Sequence, residues 1–317
     1  MTLGHNTTTD EVLSGRDLSE KRAIVTGAST GLGEETARAL ASHGAQVTLA
    51  VRDAAKGEAA AARIRASTGN AKIDVGEVEL SVPDRVRAFA KNWLSRNGKL
   101  DLLINNAGIM ACPLARTREG WELQLATNHL GHFLLTCLLV PALRGGTQAR
   151  IVNLSSAGHL LSDVDFNDPH FARRPYDKWV SYGQSKTANV LFSVELSKRL
   201  APYGITANAV HPGGIKTELG RHLVQDDIAI LMARTSTSGS FAYKTIPAGA
   251  ATSVWAATAP ALQGRGGLYL EDCGIATPAS GGGGAVSGYA PYARDEAHAA
   301  QLWAFSEKAL KETFALA

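Results

Sequence analysis

The chain has 317 residues, 45% hydrophobic and 19% charged, a globular composition that excludes disordered, collagen-like and disulfide-scaffold classes. Its formal charge of +3 comes from scattered Lys and Arg, so no nucleic-acid partner is expected. Cys112, Cys137 and Cys273 are far apart and form no C-x-x-C, which argues against a disulfide framework or metal site and fits a reducing cytoplasm. The 32 glycines need an explanation, because glycine lets backbone approach other backbone or a ligand closely.

Residues 1–19 are polar and Thr-rich, lack an apolar signal core, and read as a flexible extension. Ala23-Ile24-Val25 is a short buried strand, followed by a glycine loop and a helix from Glu34 to His43 that Gly44 closes. Strand Gln46 to Ala50, helix Asp53 to Thr68 and strand Ala71 to Leu80 come next. Then follow helix Pro83 to Gly98, strand Leu100 to Ile104, a long apolar helix Trp121 to Leu143 and strand Ile151 to Leu154. A segment at 159–179 precedes helix Tyr182 to Leu200, strand Ile205 to Val210, a mixed segment at 216–245, strand Leu268 to Leu270 and helix Asp295 to Leu316. Gly281 to Gly284 read as a mobile surface loop before that last helix. The alternation predicts an α/β fold, a parallel sheet with helices on both faces and no cut into two domains. The longest apolar run, Phe133 to Leu143, is shorter than a bilayer span, so a soluble cytoplasmic protein without a membrane span is expected.

Four places carry candidate chemistry. Gly27, Gly31 and Gly33 lie between the first strand and first helix, where free backbone N–H groups and a helix dipole face a pyrophosphate; an ordinary tight turn is the alternative. Tyr182 and Lys186 are four apart on one helix, so an ammonium there favours tyrosinate and lowers the phenol pKa towards working pH. Ser155 and Ser156 follow the fifth strand, at the sheet edge where a hydroxyl can bind a substrate oxygen. Asn128 is an unfavourable residue within an apolar helix; His129 and His132 beside it lack a carboxylate or Cys, so they read as packing or solvent contacts.

The G-x-x-x-G-x-G spacing, Asn105-Asn106-Ala107-Gly108, Tyr182-Gly183-Gln184-Ser185-Lys186 and His211-Pro212-Gly213 together resemble the short-chain dehydrogenase/reductase family over about residues 20 to 275. Asn128-His129-Leu130-Gly131-His132-Phe133 and Ser185-Lys186-Thr187-Ala188-Asn189 are similar to the branch of retinol dehydrogenases and the WW-domain oxidoreductase. The resemblance implies a single Rossmann-type doubly wound domain over 20–317, with an insertion at 159–179, a substrate lid at 216–245 and a C-terminal loop and helix at 276–317. It implies Asn128, Ser156, Tyr182 and Lys186 as catalytic, with Ser155 the fallback for Ser156. It places a dinucleotide on Gly27, Ser29, Thr30, Gly31, Leu32, Gly33, Arg52, Glu79, Leu80, Asn106, Ala107, Gly108, Tyr182, Lys186, Pro212, Gly213, Ile215 and Thr217, with no metal. Val51 stands where NAD-preferring relatives carry Asp and Arg52 follows, which favours NADP over NAD. Glu79 stands where relatives often carry Asp near the adenine, so the contact there differs.

The implied activity is hydride exchange between the nicotinamide and a carbonyl or secondary alcohol, with Tyr182 as general acid/base. Leu219, Leu223, Ile228, Ile230, Leu231, Met232 and Phe241 in the lid, and Phe166, Phe171, Tyr176 and Trp179 in the insertion, suggest a hydrophobic small-molecule substrate. A catalytically silent dinucleotide-binding protein and a C=C reductase resembling protochlorophyllide reductase are the alternatives. Relatives pair helices into a homodimer or homotetramer, and no patch in the sequence decides between these.

Overall fold

The computed structural model describes residues 3–227, 243–279 and 287–316. Strands β1 (Arg22–Thr26), β2 (Gln46–Val51), β3 (Ile73–Glu77), β4 (Leu102–Asn105), β5 (Arg150–Leu154), β6 (Thr206–His211), β7 (Tyr269–Glu271) and β8 (Gly274–Ile275) form one sheet in the order β3-β2-β1-β4-β5-β6-β7-β8. All pairings are parallel except β7 with β8. The central strands are apolar on both faces because both are covered. Ala23 and Val25 point into one core and Ile24 into the other; Leu102 and Ile104 oppose Leu103 in the same way.

One core holds helices α1 (Thr9–Leu13), α2 (Gly31–Ser42), α3 (Ala54–Thr68) and α7 (Ile246–Thr258). The other holds α4 (Pro83–Arg96), α5 (Leu123–Arg144), α6 (Lys178–Leu200) and α8 (Glu296–Leu310). After β3 the chain crosses back to lay β4 beside β1, so the connections from β1 and β4 leave in opposite directions. That reversal opens a crevice at the carboxyl ends of the strands, between the glycine loop and the loop after Asn105.

Residues near the N-terminus differ from the flexible extension expected. Thr8 and Glu11 form a reciprocal capping box at α1, and Val12, Leu13 and Leu18 are buried in the core beneath α2 and α7. Arg16 donates to the Thr258 carbonyl at 3.2 Å and Arg38 holds Asp10 at 2.7 Å. Three apolar residues in so short a stretch give no legible period; the surface that receives them comes from distant segments.

The long apolar helix is interrupted by a π turn over Ala126–Leu130. By length and composition α5 could cross a membrane, with a mean hydropathy of 1.3, yet 83% of that window is buried inside the fold. Helix α8 covers α5 and α6, placing Trp303 4.8 Å from Phe133 and beneath the Arg199 guanidinium at 4.2 Å. The helix ends at Leu310, short of the expected Leu316, because Lys311 turns left-handed (φ 54°) and folds Phe314 and Leu316 back into the core. Trp303→Ala is expected to cost about 3–5 kcal/mol of unfolding free energy, measured by urea denaturation.

Candidate active site

The first glycine turn is shaped to receive a dinucleotide phosphate. Gly27 and Gly31 sit at positive φ (65° and 60°), and a Cβ on Gly33 would lie 2.4 Å from the Gly27 carbonyl oxygen and 2.5 Å from Asn106 Nδ2. Only bare backbone lets α2 start so close to β1. Thr30 is the N-cap residue of α2 but its side chain makes no cap hydrogen bond, which leaves the first-turn amides for an anion. Asn106 Nδ2 donates to the Thr26 carbonyl at 2.8 Å, and the Asn106 and Ala107 amides both donate to Thr26 Oγ1 at 2.9 Å. These bonds tie the two loops that flank the crevice.

Ser29, Leu32 and Thr217 belong to the same rim. Thr217 Cγ2 lies 3.5 Å from the position a Cβ on Gly31 would take, so the loop after β6 closes over the glycine turn. Leu32 and Ile215 side chains instead pack towards Gly249 of α7, leaving their backbones to line the crevice. Gly213, next to Pro212, is backed by the buried stem of Lys244, whose ammonium lies 2.5 Å from Asp272. At the far end Val51 is buried, Leu80 is buried, and Arg52 is 71% exposed with its Nε 3.7 Å from Glu79 Oε2. Glu79 also accepts from Ser81 Oγ at 2.9 Å, so it holds a local turn as well as facing Arg52.

Tyr182, Lys186, Ser156 and Asn128 converge at the β5 and β4 ends. Helix α6 starts at Lys178, not Tyr182, because Asp177 caps it by accepting from the Trp179 and Val180 amides. Tyr182 therefore lies in the second turn, with Lys186 one turn on and its Nζ 5.6 Å from the Tyr182 ring centroid. Lys186 Nζ donates to the Leu154 carbonyl at 3.1 Å. The position of a Cβ on Gly108 lies 3.5 Å from Lys186 Nζ and 3.2 Å from Asn128 Oδ1, which brings the β4 loop onto the same group.

The two serines separate cleanly. Ser155 Oγ is buried and donates to the Lys186 carbonyl at 2.9 Å, a bond that fastens α6 to β5. Ser156 Oγ accepts from the Gly158 amide at 3.0 Å, and the position of a Cβ on Gly158 lies 3.4 Å from Ser156 Oγ and 2.7 Å from Tyr182 Cε1, so the serine and the tyrosine flank the same turn. Asn128 is wholly buried: its Nδ2 donates to the Ile109 carbonyl (3.0 Å) and Ser185 Oγ (2.9 Å), and its Oδ1 accepts from the Ile109 amide (2.9 Å). With its amide fully engaged it fixes the π turn against the Gly108 loop.

The charge state of Tyr182 corrects the sequence expectation. Burial pushes its pKa up to about 12, countered in part by the nearby Ser156 hydroxyl, and burial draws Lys186 down to about 8. The helical spacing alone suggested a lowered phenol. Desolvation dominates at both groups, so at neutral pH the resting Tyr182 hydroxyl keeps its proton.

His129 and His132 are packing residues with definite partners. His129 Nε2 lies 2.8 Å from Ser306 Oγ, whereas His132 donates from Nδ1 to the Asn128 carbonyl (3.0 Å) and accepts at Nε2 from Thr26 Oγ1 (2.9 Å). Among the described residues no group of three or more His, Cys, Asp or Glu is placed to hold a metal ion.

The insertion at 159–179 is a packed element whose aromatics are taken up by protein. Phe166 meets Phe305 and His298 of α8, and Phe171 meets Tyr176 at 5.1 Å. Tyr176 donates to the Cys112 carbonyl and accepts from Gln124 Nε2, each at 2.9 Å. Leu219 and Leu223 are half-buried, while Ile228, Ile230, Leu231, Met232, Phe241 and Gly281 to Gly284 lie outside the described residues.

A sequence profile described as short chain dehydrogenase matches residues 21–228. The chain belongs to that family. It is 45% identical over 300 residues to a probable oxidoreductase of Streptomyces antibioticus, covering 93% of this chain and 99% of the relative. It is 44% identical over 256 residues to human retinol dehydrogenase 12, covering 81% and 79% of the two chains. A short chain dehydrogenase from Burkholderia cenocepacia, solved in complex with NADP, superposes with a TM-score of 0.65 at 26% identity, covering 81% of this chain and 97% of that one. Family membership makes the chain an oxidoreductase using a nicotinamide dinucleotide, consistent with the uncapped helix and glycine turn above.

Proposed function

We propose that the protein reduces the carbonyl, or oxidises the secondary alcohol, of a hydrophobic small molecule, with NADP(H) preferred over NAD(H). The observation that carries this reading is the meeting of Tyr182, Ser156 and Lys186 beside Gly108, at the carboxyl ends of β4 and β5. The dinucleotide would supply or accept the hydride, held by the α2 amides, Asn106 to Gly108, Pro212 to Thr217 and the Lys186 ammonium.

Within the chain, the Tyr182 hydroxyl carries the proton to the substrate oxygen in reduction and takes it back in oxidation. The Ser156 hydroxyl, whose Oγ lone pair is engaged by the Gly158 amide, keeps its own hydrogen for the same oxygen. Lys186 stabilises the phenolate as it forms, and Asn128 holds the π turn and the Gly108 loop at the lysine. The similarity to retinol dehydrogenases and the apolar residues of the 216–245 segment support a hydrophobic substrate, retinoid, steroid or polyketide in type.

A panel of ketones, aldehydes and secondary alcohols assayed with NADPH and NADH tests the reading. Turnover on bulky apolar carbonyls is expected, and activity confined to small hydrophilic ones would reject the substrate class. Arg52→Ala is expected to raise the KM for NADPH by about tenfold or more while leaving that for NADH nearly unchanged, since a guanidinium–phosphate contact contributes about 1.5–3 kcal/mol. Equal effects on both dinucleotides would remove Arg52 from the selection.

A further inference from the structure

The turn that presents Ser156 is held by a buried histidine the sequence did not single out. His159 is fully buried two residues beyond Ala157, and its ring spans two segments far apart in the chain. Its Nε2 receives the Ala290 amide at 3.1 Å. A backbone N–H can only donate, so Nε2 carries no proton and the ring hydrogen sits on Nδ1. Nδ1 faces the Ser156 carbonyl at 2.6 Å, and the His159 amide donates to the same oxygen at 3.0 Å. Burial draws the pKa of His159 down to about 4, so the ring is neutral at working pH.

The rest of the turn depends on that anchor. With the Ser156 carbonyl turned towards His159, Ser156 Oγ meets the Gly158 amide, and Gly158 lies so flat on Tyr182 that a Cβ there would sit 2.7 Å from the ring's Cε1. The His159 carbonyl is itself held by Tyr292 Oη at 2.7 Å and Thr187 Oγ1 at 3.1 Å. The C-terminal segment thus selects one tautomer, and that tautomer sets where the Ser156 hydroxyl points.

We propose that His159 is a positioning residue for Ser156, locked as its Nδ1–H tautomer by the Ala290 amide, so that the segment before α8 completes the active site. This rests on the reading of Ser156 and Tyr182 as catalytic. The test compares replacements that keep one half of the bridge each. Asn places a donor near Nδ1, whereas Gln places an acceptor near Nε2 and offers Ser156 nothing.

His159→Gln is expected to lower kcat by about 10- to 30-fold with KM for both substrates unchanged, the loss of one short hydrogen bond. His159→Asn is expected to recover to within about fivefold of the parent, a partial restoration of that bond.

Equal losses in the Asn and Gln variants, or losses that follow KM or the melting temperature, would overturn the proposal. Nitrogen-15 NMR of histidine-labelled protein gives a readout that needs no turnover: Nδ1 protonated and Nε2 bare in the parent. A parent ring protonated on Nε2 would overturn the tautomer lock even in an active enzyme. A correct tautomer in a protein that turns over no carbonyl would instead overturn the catalytic reading.

Discussion

Tyr182→Phe is expected to bind dinucleotide as the parent does and to lose about 10²–10⁴-fold in kcat, the range of a positioned general acid. Phenylalanine keeps the ring on which Gly158 lies and removes only the hydroxyl. Dinucleotide titration followed by steady-state reduction of a ketone separates the two effects. Parental turnover in the variant would remove Tyr182 from the chemistry.

The pH dependence follows from the same burial. With Tyr182 pushed up to about 12, the proton needed for reduction is present throughout the neutral range. Lys186, drawn down to about 8, loses its ammonium as pH rises through that value, and with it the charge that stabilises a forming phenolate. Reduction is therefore expected to be flat below pH 8 and to fall above it. Oxidation needs the phenolate and is expected to rise with pH over the neutral range. A reduction rate that climbs from pH 8 to pH 10 would contradict this assignment of roles.

Gly33→Ala is expected to weaken dinucleotide binding severely. Its Cβ would approach the Gly27 carbonyl oxygen to 2.4 Å and Asn106 Nδ2 to 2.5 Å, and the first of these is backbone that cannot rotate away. Helix α2 must then retreat from the turn, carrying its free amides with it. Such overpacking costs about 1–3 kcal/mol, which at the binding site reads as about 10- to 100-fold in Kd. Fluorescence titration with NADPH checks it. Gly98→Ala, where a Cβ would meet nothing within 4 Å, is the control expected to bind as the parent does.

Much of the fold was legible because it is written in short-range patterns. Apolar runs too short for helices, alternating with helical periods and glycine turns, gave seven of the strands, each within a few residues of its place. The hairpin strand β8 and helix α7 were missed. Helix α7 is Ala-rich and buried all round, so it shows no polar face to mark its period. Helix α6 starts four residues before Tyr182, where Asp177 provides the cap.

The candidate site divides in the same way. The sequence by itself determined the chemical types present and their order: a glycine turn after β1, an Asn-rich loop after β4, a serine pair after β5 and a Tyr and Lys one turn apart. These are local matters of spacing and strand ends. Tertiary structure alone decided which serine turns to the tyrosine, that the tyrosine keeps its proton, and that the N-terminal segment is packed. It also joined His159 to Ala290 and Tyr292, 131 and 133 residues away. Burial and long-range pairing set all of these, because desolvation depends on what covers a residue, and no spacing along the chain records that.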